Sequence, residues 1–183
     1  MIRISRRLFL VAVCALALTS CGNGGSSTAQ ESYISGNGAI TFISAADREM
    51  APKLSGDTLY GTKFDFTDKK IAVVNVWASW CTTCRKEHEM IMNIAKNTDL
   101  QLIGVNYKDT KVDGEKYLEV MGNPFDLIIF DPNGKIGMDL GVYATPETFL
   151  VNQDGLILYK HIGEIDSGVW EDNFAIHLNK SES

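Results

Sequence analysis

The sequence predicts an α/β domain in which a central mixed β-sheet is flanked by helices. Three observations carry that expectation. An apolar, β-branched run at 71–78 (IAVVNVWA) leads directly into a stretch with helical periodicity. The strand-then-helix alternation then repeats, and a hairpin signal followed by one more helix closes the chain.

Residues 71–78 are apolar without alternation, as expected of a strand covered on both faces. Over 82–96, Cys84, His88, Ile91 and Ala95 recur at three- and four-residue intervals and share one helix face. A second buried strand follows at 100–107, then a helix at 114–121. A short strand at 127–130 ends in the turn Asp131-Pro132-Asn133-Gly134. Strands at 147–151 and 156–161 flank Asn152-Gln153-Asp154-Gly155, a hairpin signal. A helix over 167–178 completes the order, which is that of a thioredoxin-like core.

Before this domain stand two segments of other character. Arg3, Arg6 and Arg7 precede an apolar run at 8–18 that is too short to span a bilayer, which needs roughly 20 residues, but suits a secretory signal. The run ends in Leu18-Thr19-Ser20-Cys21, which reads as a lipobox with Cys21 as the lipidation site; a plain signal peptide is the alternative. The stretch SRRLFL (5–10) also fits a twin-arginine export signal, although paired arginines occur in ordinary leaders. Residues 1–21 are therefore read as a signal peptide with lipobox. Cys14 lies inside the leader and needs no function. The Gly/Ser-rich start of 22–39 predicts a flexible tether, and 40–183 is the folded domain. The expected location is extracytoplasmic and membrane-tethered, where disulfides persist.

Composition narrows the function. Seventeen basic against 23 acidic residues give a formal charge of −6. With no basic cluster past the leader, nucleic acid is not an expected partner. Of four cysteines, only Cys81 and Cys84 are close in sequence outside the leader.

The motif WASWCTTC (77–84) joins a strand to a helix. Its two-residue spacer lets both sulfurs reach disulfide distance and places Cys81 at the helix N-terminus. There the free N–H groups and the macrodipole favour a thiolate, the nucleophile of disulfide exchange. Cys84, one turn deeper, is the resolving thiol. Two blander readings stand beside this one. Half a zinc site would need two more close ligands, and His88, His161 and His177 form no ligand pair. A structural disulfide would close too small a loop to stabilise much. No metal is expected, and no cofactor beyond the redox-active Cys81–Cys84 disulfide. Downstream, Thr145-Pro146 precedes a strand. It is either a cis-proline loop facing the dithiol, with Thr145 offering backbone groups to a peptide, or an ordinary trans proline opening a strand.

The stretches NVWASWCTTCRKEH (75–88), GVNYKD (104–109), GNPF (122–125) and DLGVYATPETFL (139–150) resemble the cytochrome c biogenesis thiol:disulfide interchange proteins of DsbE/CcmG type. These lie within the TlpA/thioredoxin-like group, and the resemblance runs from about Leu54 to Ile165. It implies Cys81 as attacking thiol, Cys84 as resolving thiol, Pro146 as cis-proline, and Glu87 and Glu147 as acids near the dithiol. Thioredoxins carry a buried acid where this chain has Asn75, so that role passes to Glu87 or Glu147. A solvated helix glutamate and an exposed strand-end acid are the plainer readings of these two. Trp80 and Tyr143 either frame the substrate groove or simply pack. The chain departs from the family at Thr82 and Glu89, both often proline there, and in its lipid-type leader. The implied function is donation of electrons to the haem-binding thiols of apocytochrome c, supplied by a membrane thiol–disulfide electron donor. Competing readings are a general extracytoplasmic disulfide reductase or oxidant, and a lipoprotein that binds partners without turnover.

Overall fold

The computed structural model describes residues 32–35, 38–42, 48–65 and 70–178. The leader, Cys21 and the first part of the tether lie outside them. Strands β1 (Ser32–Ser35) and β2 (Gly38–Phe42) form a hairpin. Next come β3 (Ser55–Asp57) and β4 (Lys63–Asp65), a small separate pair. The central units follow: β5 (Ala72–Trp77), α1 (Thr82–Asn97), β6 (Gln101–Tyr107), α2 (Lys111–Met121), β7 (Leu127–Asp131) and α3 (Lys135–Asp139). The hairpin of β8 (Glu147–Val151) and β9 (Ile157–Gly163) precedes a terminal helical run: Ser167–Val169, a π-helical Trp170–Ala175, and Ile176–Leu178.

Seven of the described strands build one mixed sheet in the order β1-β2-β9-β8-β5-β6-β7. Strands β5, β6 and β7 are parallel, and the remaining pairs are antiparallel. This is the thioredoxin-like mixed sheet the sequence predicts. All six residues of β5 are buried because both faces of the sheet are covered. Val73 and Trp77 join a core with Ile91, Ile94, Leu118 and Phe174, whereas Ala72, Val74 and Val76 join another with Ile103, Phe149 and Leu140. Helix α1 faces the first core with Cys84, Glu87, His88, Ile91 and Ile94, a single stripe at helical spacing.

Several elements differ from the sequence reading. Strand β1 and the start of β2 fall within the 22–39 tether, so that part of it is sheet. Helix α2 begins at Lys111 instead of 114. Thr110 caps it, its hydroxyl accepting from Asp113 N at 3.1 Å, and Gly114 is an interior position where an added Cβ would lie 2.9 Å from Asn106 Oδ1. Helix α3 and the β3–β4 pair were not foreseen. Both are too short to show a period.

Gly104 on β6 lies beneath the Trp77 and Phe125 rings, which stack at 5.8 Å. A Cβ there would come within 2.8 Å of Trp77 Nε1 and 2.9 Å of Phe125. Gly104→Ala is expected to cost about 1–3 kcal/mol through overpacking. Urea unfolding would show this as a lower midpoint with unchanged slope; an unchanged midpoint would mean the rings yield freely.

Candidate active site

The site forms where β5 ends and α1 begins. Cys81 is the residue that caps α1, and its Sγ accepts the Cys84 N–H at 3.0 Å. The two sulfurs are bonded to each other, with Cα atoms 5.3 Å apart. A helix start leaves N–H groups without intrahelical partners, and here a sulfur takes one of them. On reduction, that N–H and the helix dipole stabilise negative charge on Cys81. Cys81 itself is only 5% exposed, but Trp80 beside it is 59% exposed, and Tyr143, in the loop before β8, is 89% exposed. Cys84 lies beneath the helix turn, within the core.

The loop preceding β8 forms the opposite wall. The Thr145–Pro146 bond is cis, and the Thr145 carbonyl oxygen lies 3.6 Å from Cys81 Sγ. Glu147 holds this loop in shape. Its Oε1 accepts Tyr143 N at 2.5 Å and Ala144 N at 2.8 Å. Lys160 Nζ lies 2.9 Å from its Oε2, close enough for an ion pair although off line for a hydrogen bond, and also donates to Gly141 O.

The two expected acids lie on opposite faces of the sheet. Glu147 lies across from Val76 in register, and residues directly opposite share a sheet face. Val76 faces the second core, away from α1. Glu147 is therefore fully buried on the far side of the sheet from Glu87, and it clamps the proline loop.

Glu87 is on the dithiol side, one helical turn beyond Cys84, and 2% exposed. Asn75 Nδ2 donates to its Oε1 at 2.9 Å and Ile165 N to its Oε2 at 3.0 Å. Burial pushes its pKa up to about 7, against the opposing pull of the Ile165 and Asn75 hydrogen bonds; the like charge of Glu164 adds to the rise. A carboxyl that changes charge near neutrality can take and return a proton at neutral pH. Asn75, at the position where thioredoxins carry an acid, serves instead as donor to that carboxyl, its other N–H going to Thr148 Oγ1 at 3.0 Å.

Two supports went unassigned in the sequence reading. The Asp109 carboxylate accepts Ser79 N (2.6 Å), Ser79 Oγ (2.8 Å), Asn106 Nδ2 (2.9 Å) and Thr110 N (2.8 Å). It thereby ties the dithiol loop to the β6–α2 turn, and Trp80 Nε1 adds a bond to Lys108 O. His88 and Tyr117 form the second: Tyr117 Oη lies 3.0 Å from His88 Nδ1 and donates to Cys84 O at 3.3 Å. Asp109 ends the GVNYKD stretch and His88 ends the longest motif, but spacing alone carried no signal for either role. Among the described residues, no group of three His, Cys, Asp or Glu side chains is placed to hold a metal.

Residues 45–175 match the Redoxin family model. The chain is 37% identical over 167 residues to the thiol:disulfide interchange protein DsbE of Yersinia pestis, covering 90% of this chain and 83% of that one. It is 42% identical over 122 residues to the DsbE of Tatumella citrea, where the match covers 67% of this chain and 65% of the relative, just under two thirds of its length. A solved structure described as a putative thiol:disulfide interchange protein DsbE from Chlorobium tepidum superposes with a TM-score of 0.58 at 25% identity, over 74% of this chain and 95% of that one.

Burial of Glu87 makes stability depend on pH. The folded carboxyl holds its proton up to about pH 7, while in the unfolded chain it ionises near 4.5. The stabilisation is complete below the unfolded value and is lost as pH rises through the folded one, a change of roughly 3 kcal/mol. Urea unfolding of the oxidised protein at pH 4.5 and 7.5 should show this fall, and Glu87→Gln should remove most of it. An equal fall in the variant would place the effect elsewhere.

Proposed function

Because the chain belongs to the redoxin family, among the DsbE-type thiol:disulfide interchange proteins, we propose that it reduces disulfides in other proteins outside the cytoplasm. The observation that carries this reading is the Cys81 sulfur at the tip of α1, accepting the Cys84 N–H and lying 3.6 Å from the Thr145 carbonyl oxygen, with exposed Trp80 beside it.

In the reduced protein, the Cys81 thiolate attacks one sulfur of a substrate disulfide. A Cys81–substrate bond forms, the substrate's own S–S bond breaks, and the first substrate sulfur leaves as a thiolate and takes a proton. The Glu87 carboxylate then accepts the Cys84 proton. Cys84 attacks Cys81 Sγ, closing the intramolecular disulfide and releasing the second substrate sulfur as a thiolate that is protonated in turn. Two electrons pass from the dithiol to the substrate. The Thr145 carbonyl gives the incoming peptide an acceptor, and Trp80 and Tyr143 give it exposed aromatic walls. Glu147 and Lys160 keep the proline loop in place.

The resemblance to cytochrome c biogenesis proteins supports the haem-binding cysteines of apocytochrome c as the substrate disulfide. It also supports a membrane thiol–disulfide protein as the electron source that reduces Cys81–Cys84 again. The basic, apolar leader ending in Cys21 supports export and attachment to a membrane by lipid at that cysteine, with the residues after it as spacer.

A Cys84→Ala variant cannot release the mixed disulfide and is expected to accumulate covalent adducts through Cys81, with apocytochrome c among them. Non-reducing electrophoresis and peptide identification read the outcome. Adducts lacking any haem-motif protein would overturn the substrate assignment. Absence of adducts, with Cys81→Ser indistinguishable from the parent in cytochrome c maturation, would overturn the reductase itself.

A further inference from the structure

His161, on β9, lies on the dithiol side of the sheet and takes no part in the exchange steps above. It is fully buried. In register it lies across from Thr148, which lies across from Asn75, so all three side chains project towards α1. His161 Nε2 is 2.9 Å from the Glu164 carbonyl oxygen. The nitrogen of that same peptide group belongs to Ile165 and donates to Glu87 Oε2 at 3.0 Å. One peptide group thus separates imidazole from carboxyl. A carbonyl oxygen only accepts, so Nε2 carries the ring proton. Nδ1 is left as a buried lone pair with no partner, and a charged ring would bury an unpaired N–H there.

Taking Glu87 as the proton acceptor of the reaction above, we propose that His161 is a positioning residue for it. By donating to the Glu164 carbonyl, His161 holds the Glu164–Ile165 peptide with its N–H on the carboxyl, and so sets how tightly Glu87 keeps its proton. A hydrogen bond accepted at a peptide oxygen polarises the amide and strengthens its N–H as donor. That donor favours the ionised carboxylate. Ile165 is fully buried, so bulk water has no ready access to replace the contact.

The groups around Glu87 come from every neighbouring element. Asn75 approaches from β5, with Thr148 of β8 behind it, and Cys84 lies one turn back on α1. Tyr117 reaches in from α2; burial pushes its pKa up to about 12, so it is neutral over the working range. Glu164, in the segment after β9, opposes ionisation of Glu87 by like charge. Burial holds His161 below the usual imidazole value, against the Glu164 carbonyl bond and the charge of Asp166. The neutral imidazole, with its Nε2–H on the Glu164 carbonyl, is the form this geometry favours.

The test is a carbon-13 titration of the Glu87 carboxyl in the reduced full chain. With His161→Leu, which removes the donor, the midpoint is expected to rise by about half a pH unit or more, a roughly threefold change in proton affinity. With His161→Gln, whose amide can still donate, it is expected to stay near the parent value. An unchanged midpoint in His161→Leu overturns the proposal, as does an equal rise in both variants, which would report packing instead of the bond. Should His161→Leu not fold, the unaltered protein decides. The His161 ring nitrogen signals should inflect at the Glu87 midpoint and lose that inflection in Glu87→Gln. Independence of the two signals overturns the coupling. Both readouts work without substrate, so a failed reductase assay would leave this result standing, and the reverse.

Discussion

A single contact organises the site: the Cys84 N–H directed at the Cys81 sulfur. The first turn of any helix has N–H groups that the helix cannot satisfy, and burying one unpaired is costly. Here the cap is a sulfur, so the atom that satisfies the backbone is also one half of the Cys81–Cys84 disulfide. Its position is not adjustable. Strand β5 is buried along its whole length, which fixes where α1 starts. Asp109 fixes the loop between them with bonds to both the nitrogen and hydroxyl of Ser79.

The sheet then divides the acidic groups by face. Alternation along β8 sends Thr148 towards α1 and Glu147 away from it. The buried polar row Asn75–Thr148–His161 and the carboxyl of Glu87 therefore share the dithiol side, within an otherwise apolar core. Polar groups there are tolerated because most are paired: Glu87 accepts from Asn75 and Ile165, and His161 meets Glu164. On the other face, Glu147 takes two loop N–H groups and the charge of Lys160. Two glutamates with similar sequence credentials thus do different work. One is buried on the dithiol side of the sheet, and the other holds the loop around Pro146.

Much of this was legible in the sequence, for identifiable reasons. Strands β5, β6 and β8 are short, largely apolar runs and helix α1 has clear helical periodicity, and the WASWCTTC motif places both sulfurs by chain geometry alone. The hairpin of β8 and β9 announced itself through Asn152-Gln153-Asp154-Gly155. What escaped depends on contacts distant in sequence. Register decides which face Glu147 occupies, and no local pattern around 147 encodes it. Asp109 meets Ser79 thirty positions away. The expected helix started at Gly114, whereas the structure places this glycine inside α2, where its missing side chain admits Asn106. Strand β2 takes its partner from β9 and β1 pairs only with β2, and their own residues border a Gly/Ser-rich segment that reads as coil.

The proposed chemistry requires that the two sulfurs, once separated, be unequal: one reactive at the helix tip, one sheltered a turn deeper. Carboxymethylation of the reduced protein at neutral pH, with the modified positions mapped by mass spectrometry over time, measures that inequality directly. Modification of Cys81 well ahead of Cys84 is the expected result. Equal rates, or Cys84 reacting first, would contradict the assignment of the cap sulfur as the nucleophile.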